Sequence, residues 1–236
     1  AERQHSGFLR GACGLGNGIG PALTLRVSLH ASSDSWHSSA VLSYDWGFLT
    51  RCIGRFSLSG RAMRISEIFE SLQGEGKLAG VPSVFVRTSG CNLRCTWCDT
   101  PYASWNPEGE ELPVAEILDR VLGYASRHVV LTGGEPMLFR ELVPLIAALK
   151  EERRHITVET AGTLWLEGLP SGGIDLASIS PKLANSTPHA REGGRFARRH
   201  EAQRINLEVL KHFASGGGGA VVERQWKFVI TGREDL

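Results

Sequence analysis

Three cysteines, Cys91, Cys95 and Cys98, stand within eight residues of one another. Their C-x₃-C-x₂-C spacing lets three thiolates on one short loop each hold one iron of a cubane cluster. The fourth iron then has no protein ligand and keeps an open position for a small molecule. The other two cysteines, Cys13 and Cys52, lie far from this loop, and five cysteines at uneven spacing make a poor disulfide framework. We therefore predict a [4Fe–4S] cluster on the three clustered cysteines.

A zinc site is the alternative for this loop. Zinc sites normally take four protein ligands, often as C-x₂₋₄-C pairs. No fourth Cys or His lies close by, since His128 is the first histidine after the loop. Three clustered ligands without a fourth favour an open cluster. Its open iron could bind the amino and carboxylate groups of S-adenosylmethionine (SAM), and electron transfer into the sulfonium would release a 5′-deoxyadenosyl radical.

The composition is that of an ordinary globular protein. Of the 236 residues, 42% are hydrophobic and 22% are charged, and the formal net charge is +1. This near-neutral balance gives no sign of a nucleic-acid partner, and no apolar run approaches the roughly 18 residues of a membrane span. Because clustered thiols suit a reducing compartment, we expect a cytoplasmic protein with no nucleic-acid or membrane partner.

Predicted strands and helices alternate after residue 63, which is typical of parallel β/α units. The apolar patterns predict strands at 84–87, 128–131, 156–158, 176–179 and 226–230, and helices at 114–122, 142–149 and 204–213. Each strand ends in a polar or glycine-rich turn, and ligands of such folds gather at the carboxyl ends of the strands. A complete eight-fold barrel takes ~250 residues. We therefore expect an α/β fold in the form of a partial, open TIM-like barrel.

Residues 1–62 differ from the rest in composition. They contain no Lys and three acidic residues, and Gly and Ser predominate. This composition predicts a disordered leader, and an acid-poor start with Arg and Ser is also typical of a transit peptide. The alternative is that Met63 is the natural start and the leader is not native. In both cases we expect the catalytic domain at residues 63–236.

Four motifs accompany the cysteine loop. Residues 69–76 read F-E-S-L-Q-G-E-G, Asp99 and Thr100 directly follow the last cysteine, residues 132–136 read T-G-G-E-P, and residues 180–182 read S-P-K. The cysteine loop and the glycine-rich turn resemble the two hallmarks of the radical SAM superfamily. The whole set resembles the 7-carboxy-7-deazaguanine synthase family within it, over residues 63–236.

The resemblance implies a radical SAM carbon–nitrogen lyase. The family converts 6-carboxy-5,6,7,8-tetrahydropterin into 7-carboxy-7-deazaguanine with release of ammonia, a step in queuosine and 7-deazapurine biosynthesis. SAM carries the radical chemistry: its adenosyl radical takes a hydrogen from C6 of the pterin, the ring contracts, and the hydrogen returns. No side chain is expected to act as a catalytic acid or base. The resemblance further implies Mg²⁺ near the substrate carboxylate, a flavodoxin- or ferredoxin-like electron donor, and a homodimer.

The resemblance also implies roles for individual residues. The expected SAM contacts are Trp97, Asp99, Gly134, Ser180, Pro181, Lys182, Gln225 and Lys227, the expected substrate contacts are Leu72, Gln73, Gly74, Glu75, Arg87 and Thr132, and the expected Mg²⁺ ligand is Thr100. These residue types fit the roles. Gln and Glu match the donors and acceptors of a pterin edge, a guanidinium pairs with a carboxylate, and a hydroxyl is a hard oxygen ligand.

Simpler structural roles stay open for several of these positions. Residues 72–75 also suit a solvated hairpin turn, Arg87 a surface ion pair, and Thr100 a helix N-cap. The family normally continues past the strand at 226–230 with a substrate-binding histidine and a lid. None of His189, His200 and His212 matches that histidine, and we interpret all three as surface residues. We therefore expect the SAM half of the site to be more complete than the pterin half.

Two other functions compete with the lyase. A glycyl-radical activating enzyme shares the cysteine loop and a small partial barrel, but it acts on a protein and would not need the turn at 73–75 or Thr100. A non-catalytic iron–sulfur or zinc scaffold would need the cysteine loop alone.

Overall fold

A computed structural model describes residues 7–11, 23–27 and 61–235. The chain divides into two compact units, Ala1–Ile53 and Gly54–Leu236. In the first unit, strands β1 (Gly7–Gly11) and β2 (Leu23–Val27) pair antiparallel. The predictions for the rest of residues 1–60, including those for Cys13 and Cys52, lie outside the described residues. The interpretation of residues 1–62 as a leader stays a prediction.

The second unit is built on one open sheet of seven strands in the order β5-β3-β4-β6-β7-β8-β9. The strands are β3 (Ala62–Leu72), β4 (Pro82–Thr88), β5 (Glu110–Pro113), β6 (His128–Gly133), β7 (His155–Thr160), β8 (Ile174–Ile179) and β9 (Val221–Trp226). Strands β4, β6, β7, β8 and β9 run parallel, which confirms the predicted open α/β architecture. The parallel arrangement brings the carboxyl ends of these five strands to one edge of the sheet.

Five α-helices accompany the sheet in the described residues of the second unit. They are α1 (Pro101–Ser104), α2 (Val114–Leu122), α3 (Leu142–Glu151), α4 (Ala197–Gln203) and α5 (Leu207–Ala214). Helix α2 has the predicted bounds because its apolar residues recur at helical spacing and pack into the core. Ile117 and Val121 of α2 share that core with Leu145 and Leu149 of α3, and all four side chains are fully buried. Within the described residues, no helix is both long and apolar enough to cross a membrane.

Three predicted elements differ from the structure. Residues 69–72 were not predicted as a strand but end β3, which pairs antiparallel with β4, so this side of the sheet adds an antiparallel part to the predicted parallel β/α units. The helix predicted at 204–213 begins later, at Leu207, because the side chain of Asn206 caps α5 by accepting a bond from the Val209 amide at 3.3 Å. The last strand ends at Trp226, since the apolar residues that follow it, Phe228 and Ile230, are exposed.

Candidate active site

A row of polar residues crosses six strands of the sheet at one level. Strand register pairs Glu67 with Arg87, Arg87 with Thr132, Glu159 with Ser178, and Ser178 with Gln225. The pairing of Leu131 with Val158 continues the register between Thr132 and Glu159. Cross-strand neighbours share a face of a sheet, so these six side chains form one surface, here called the polar row.

Hydrogen bonds join the polar row in pairs. Arg87 Nε donates to Glu67 Oε1 at 2.6 Å, Thr132 Oγ1 donates to Glu159 Oε2 at 2.8 Å, and Gln225 Nε2 donates to Ser178 Oγ at 3.0 Å. Arg87 is the one cation of the row and lies between two carboxylates. A fixed guanidinium and carboxylate at the carboxyl ends of parallel strands suit a polar ring with a carboxylate substituent.

The three predicted cluster ligands face one cavity beside this row. Cys91, Cys95 and Cys98 are free thiols, and all three line the cavity. Their surroundings are partly apolar, because Cys95 packs with Leu93 and Ala161 and is only 8% exposed. Three free cysteines of one loop in one partly dry cavity fit a cluster held by three thiolates.

Burial, together with the nearby charge of Glu135, raises the pKa of the Cys91 thiol to about 12. Burial is also the main reason that the pKa of Cys95 rises to about 11. Iron is bound by thiolates, so cluster binding must release protons from these groups.

The cysteine loop, residues 91–98, is held by parts of the chain that lie about 100 residues away in sequence. Its Thr96 amide donates to the Ser186 carbonyl at 2.8 Å, and the Trp97 ring nitrogen donates to the Asn185 carbonyl at 3.1 Å. The Arg94 amide donates to His200 Nδ1 at 3.0 Å. Within the loop, the Arg94 guanidinium donates to the carbonyls of Cys91 and Leu93, both at 2.7 Å.

The interpretation of His200 as a surface residue was wrong. Its side chain is 1% exposed, and burial lowers its pKa to about 4. Because Nδ1 accepts from Arg94, the ring proton is on Nε2, which lies 2.9 Å from Ser186 Oγ. His189 is exposed as expected, whereas His212 is half-buried with its ring against Trp165.

The glycine-rich turn after β6 packs directly on the cysteine loop. A Cβ on Gly134 would lie 2.1 Å from the Gly90 carbonyl oxygen, so only glycine fits this position. Glu135 is fully buried and accepts bonds from Thr160 Oγ1 at 2.7 Å and the Ala161 amide at 2.8 Å. Burial raises its pKa, and these donors oppose that rise. Glu135 thus ties the turn to the end of β7.

Most of the predicted site residues line the same cavity as the cysteines. They are Trp97, Asp99, Gly134, Ser180, Lys182 and Lys227 among the expected SAM contacts, Glu75 and Thr132 among the substrate contacts, and Thr100 as the metal ligand. Lys182 Nζ donates to Ser180 Oγ at 2.8 Å and lies 5.6 Å from the centre of the Trp97 ring. Thr100 begins α1 without a side-chain capping bond, and its hydroxyl donates to Asp99 Oδ1 at 3.2 Å.

Other predicted residues lie outside the cavity lining. Leu72 is 61% exposed, Gly74 is exposed, and Pro181 is buried. Gln73 reaches the site through Glu159, to which its Nε2 donates at 3.0 Å. Arg87 and Gln225 belong to the polar row.

The loop after β3, residues 73–80, is bound to β9 rather than solvated as a free turn. The Lys77 amide donates to Gln225 Oε1 at 2.8 Å. Ion pairs join Lys77 to Glu223 and Glu75 to Lys227. The loop therefore links the expected substrate residues to two expected SAM contacts, Gln225 in β9 and Lys227 directly after it.

Sequence reasoning missed Glu159 and Ser178 as cavity residues, and Glu67 as the partner of Arg87. Glu159 offered a signal, because it stands at the carboxyl end of the predicted strand at 156–158, where ligands gather in parallel folds. Glu67 offered none, since β3 was not predicted.

Several known proteins are similar to this chain. The family model "Radical SAM superfamily" matches residues 85–219. Two proteins named 7-carboxy-7-deazaguanine synthase are similar to this chain: that of Rhodopirellula baltica is 44% identical over 178 residues, and that of Halobacterium salinarum is 48% identical over 182 residues. Each alignment covers 75% of this chain, and they cover 66% and 67% of the two relatives, so the chain spans about two thirds of their length.

A solved structure, "Crystal structure of QueE from Escherichia coli", aligns with 68% of this chain and 81% of that chain. The identity is 25% and the TM-score is 0.48.

Proposed function

Because the chain belongs to the 7-carboxy-7-deazaguanine synthase family of the radical SAM superfamily, we propose that it contracts the ring of 6-carboxy-5,6,7,8-tetrahydropterin. The product is 7-carboxy-7-deazaguanine, and the nitrogen lost from the ring leaves as ammonia. The reaction is a carbon–nitrogen lyase step of 7-deazapurine and queuosine biosynthesis.

One observation carries the proposal: the cavity brings three free thiols together with a polar pair suited to a pterin. Cys91, Cys95 and Cys98 line it beside Thr132 and Glu159. A glycyl-radical activating enzyme or an iron–sulfur scaffold needs the thiols but has no use for a hydroxyl and a carboxylate fixed against each other at 2.8 Å. The three thiols together with the Thr132–Glu159 pair support a site in which a small polar substrate binds next to a cluster.

The cofactor half of the site consists of the cysteine loop and the ends of β6 and β8. The three thiolates would hold a [4Fe–4S] cluster, with SAM bound beside it. A bound cluster and SAM together supply reductive cleavage of the sulfonium, which yields a carbon radical able to take a hydrogen atom. Lys182, Trp97 and the close-packed backbone at Gly134 would contact and orient SAM.

The substrate half consists of the polar row and the loop after β3. Glu159, Thr132 and Gln73 offer an acceptor, a hydroxyl and an amide to the pterin edge. Arg87 binds the substrate carboxylate through its fork, while Glu67 orients the guanidinium from behind. The loop at 73–80, bound to β9, limits the access of water to the reacting carbon.

Three further features belong to the proposal. Thr100 would supply a hydroxyl to a bound Mg²⁺, an ion that usually keeps several waters and takes few protein ligands. Three free thiols suit a reducing, cytoplasmic compartment. The resemblance to the family supports a homodimer, which light scattering on the purified protein would test.

The experiment is anaerobic turnover. Protein reconstituted with iron and sulfide is mixed with SAM, dithionite and carboxytetrahydropterin, and the mixture is analysed for 7-carboxy-7-deazaguanine and ammonia in equal amounts. A matched mixture without the pterin reports the basal cleavage of SAM. Cleavage of SAM that never yields a deazapurine at any pterin concentration would leave the cluster assignment standing and exclude the pterin.

A further inference from the structure

Helix α4 and the turn before it expose three arginines, Arg195, Arg198 and Arg199, here called the basic surface. Arg195 pairs with Glu192 at 3.0 Å. Arg198 and Arg199 pair with no carboxylate among residues 61–235. Residues 191–204 contain five arginines and two glutamates, a local net charge of +3 in a chain whose total is +1. Residues 191–204 thus carry an excess of positive charge.

The basic surface lies against the outer side of the cysteine loop. His200 of α4 accepts the bond from the Arg94 amide, directly before Cys95 in the chain. The Arg94 guanidinium lies 5.4 Å from the centre of the Phe196 ring. Arg94 and Arg199 line one small surface cavity, whereas the three thiols line the large cavity on the inner side of the same loop. A single loop therefore separates the exposed arginines from the cluster ligands.

The proposed function requires an electron to reach this loop from outside. SAM and the pterin occupy the inner cavity during turnover, so a protein donor has to approach the cluster from another side. On the outer side of the loop, Arg198 and Arg199 are exposed and have no carboxylate partner in the part of the chain that the structure describes. Such a charged surface speeds the association of a partner of opposite sign and fixes its orientation.

We propose that the basic surface docks an acidic one-electron carrier protein that reduces the cluster. The inference rests on the proposed function. The reduced carrier loses one electron and no proton, and the electron passes through the cluster to the sulfonium, whose carbon–sulfur bond breaks into methionine and a carbon radical. Two kinds of carrier fit this description, a flavin protein and an iron–sulfur protein, and each would have an acidic surface near its redox centre.

The test compares reductants in the reconstituted holoenzyme. Deoxyadenosine and deazapurine formation are measured with dithionite, with an acidic flavodoxin and its reductase, and with an acidic reduced ferredoxin, for wild type and for the double variant Arg198→Glu, Arg199→Glu. The dissociation constant of each oxidised carrier is measured for both proteins as well, and it should rise in the variant. We expect equal rates with dithionite. With limiting carrier at low salt, we expect about a tenfold lower rate in the variant, and added salt should slow the wild type much more than the variant.

Arg127→Glu is the matched control, because Arg127 is also exposed but stands at the start of β6, at the opposite end of the sheet from the cavity. Arg127→Glu should leave unchanged both the rate with dithionite and the rate with a protein carrier. If the double variant loses rate with only one of the two carriers, that carrier is the type that the basic surface binds.

Carrier-supported rates that are equal in the double variant and the wild type would overturn the docking proposal. So would RNA binding that is lost in the double variant while carrier-supported turnover is kept. Absence of deazapurine with dithionite in the wild type would instead count against the pterin substrate.

Discussion

Gln73 Nε2 donates a hydrogen bond to Glu159 Oε1 at 3.0 Å, across 86 residues of sequence. The second oxygen of Glu159 accepts from Thr132. One carboxylate therefore fixes two residues that we expect to contact the substrate. It also joins the loop after β3 to the parallel strands, so the loop and the polar row form one surface.

Glu159→Gln should reduce deazapurine formation about tenfold or more while SAM binding is kept. The variant keeps the shape of the side chain but loses its charge, and hydrogen bonds to a charged group are roughly twice as strong as neutral ones. The measurement is kcat/KM for the pterin beside the dissociation constant of SAM. Glu110→Gln, at an exposed glutamate paired with Arg120, serves as the control. A parallel loss of SAM affinity would reassign Glu159 to the cofactor half.

Arg87→Lys should weaken turnover although the charge is kept. Arg87 already uses Nε on Glu67, and the remaining nitrogens of its planar fork suit a carboxylate, whereas Lys offers a point charge on a flexible stem. We expect a higher KM for the pterin and unchanged cleavage of SAM in its absence. Unchanged pterin kinetics would show that Arg87 serves only the ion pair with Glu67.

Cys91→Ala, Cys95→Ala and Cys98→Ala should each abolish SAM cleavage. An open cubane needs all three thiolates, and the wild type should carry about four irons per chain after reconstitution. Iron and sulfide analysis with the visible absorption spectrum measures loading. Cys13→Ala and Cys52→Ala are the controls and should load normally. Cleavage that survives the loss of Cys95 would contradict the cluster assignment.

His200 predicts a pH dependence of folding. Its pKa of about 4 in the folded protein lies below the ordinary value of 6.5, so between these values the unfolded chain binds a proton that the folded protein does not. The free energy of unfolding should therefore fall as the pH falls through this window. The contribution of His200 between pH 7 and pH 5 is about 2 kcal/mol.

The test is urea unfolding of wild type and His200→Gln at pH 7 and at pH 5. The variant should lose less stability on acidification than the wild type does. His189→Gln, at an exposed histidine, should behave as wild type. An acid dependence in His200→Gln as steep as in the wild type would show that other groups cause it.

The spacing of apolar residues predicted correctly those helices and strands whose pattern is complete within a short segment. Helix α2 has the predicted bounds because four of its residues alternate at helical spacing into the core. Strand β3 was missed because it is half-exposed, and charged residues such as Glu67 and Glu70 interrupt its apolar pattern. Strand β9 was misplaced because exposed apolar residues beyond it imitate a buried strand.

The same limit applies to the site. The cysteines form a contiguous motif, and their shared cavity follows from it. Glu159 and His200 act through partners 86 and 106 residues away, so no local pattern connects either of them to its role. His200 was predicted to be a surface residue because the segment around it is rich in arginine. Only its contacts in the fold show that it is buried.

Arg94 and His200 are hydrogen-bonded although they lie far apart in sequence, and this separation has a consequence during synthesis. At roughly 5–20 residues per second, the ribosome needs about 5–20 s to add the 106 residues that separate them. The cysteine loop therefore gains its hydrogen bond from α4 only several seconds after Arg94 has been added to the nascent chain.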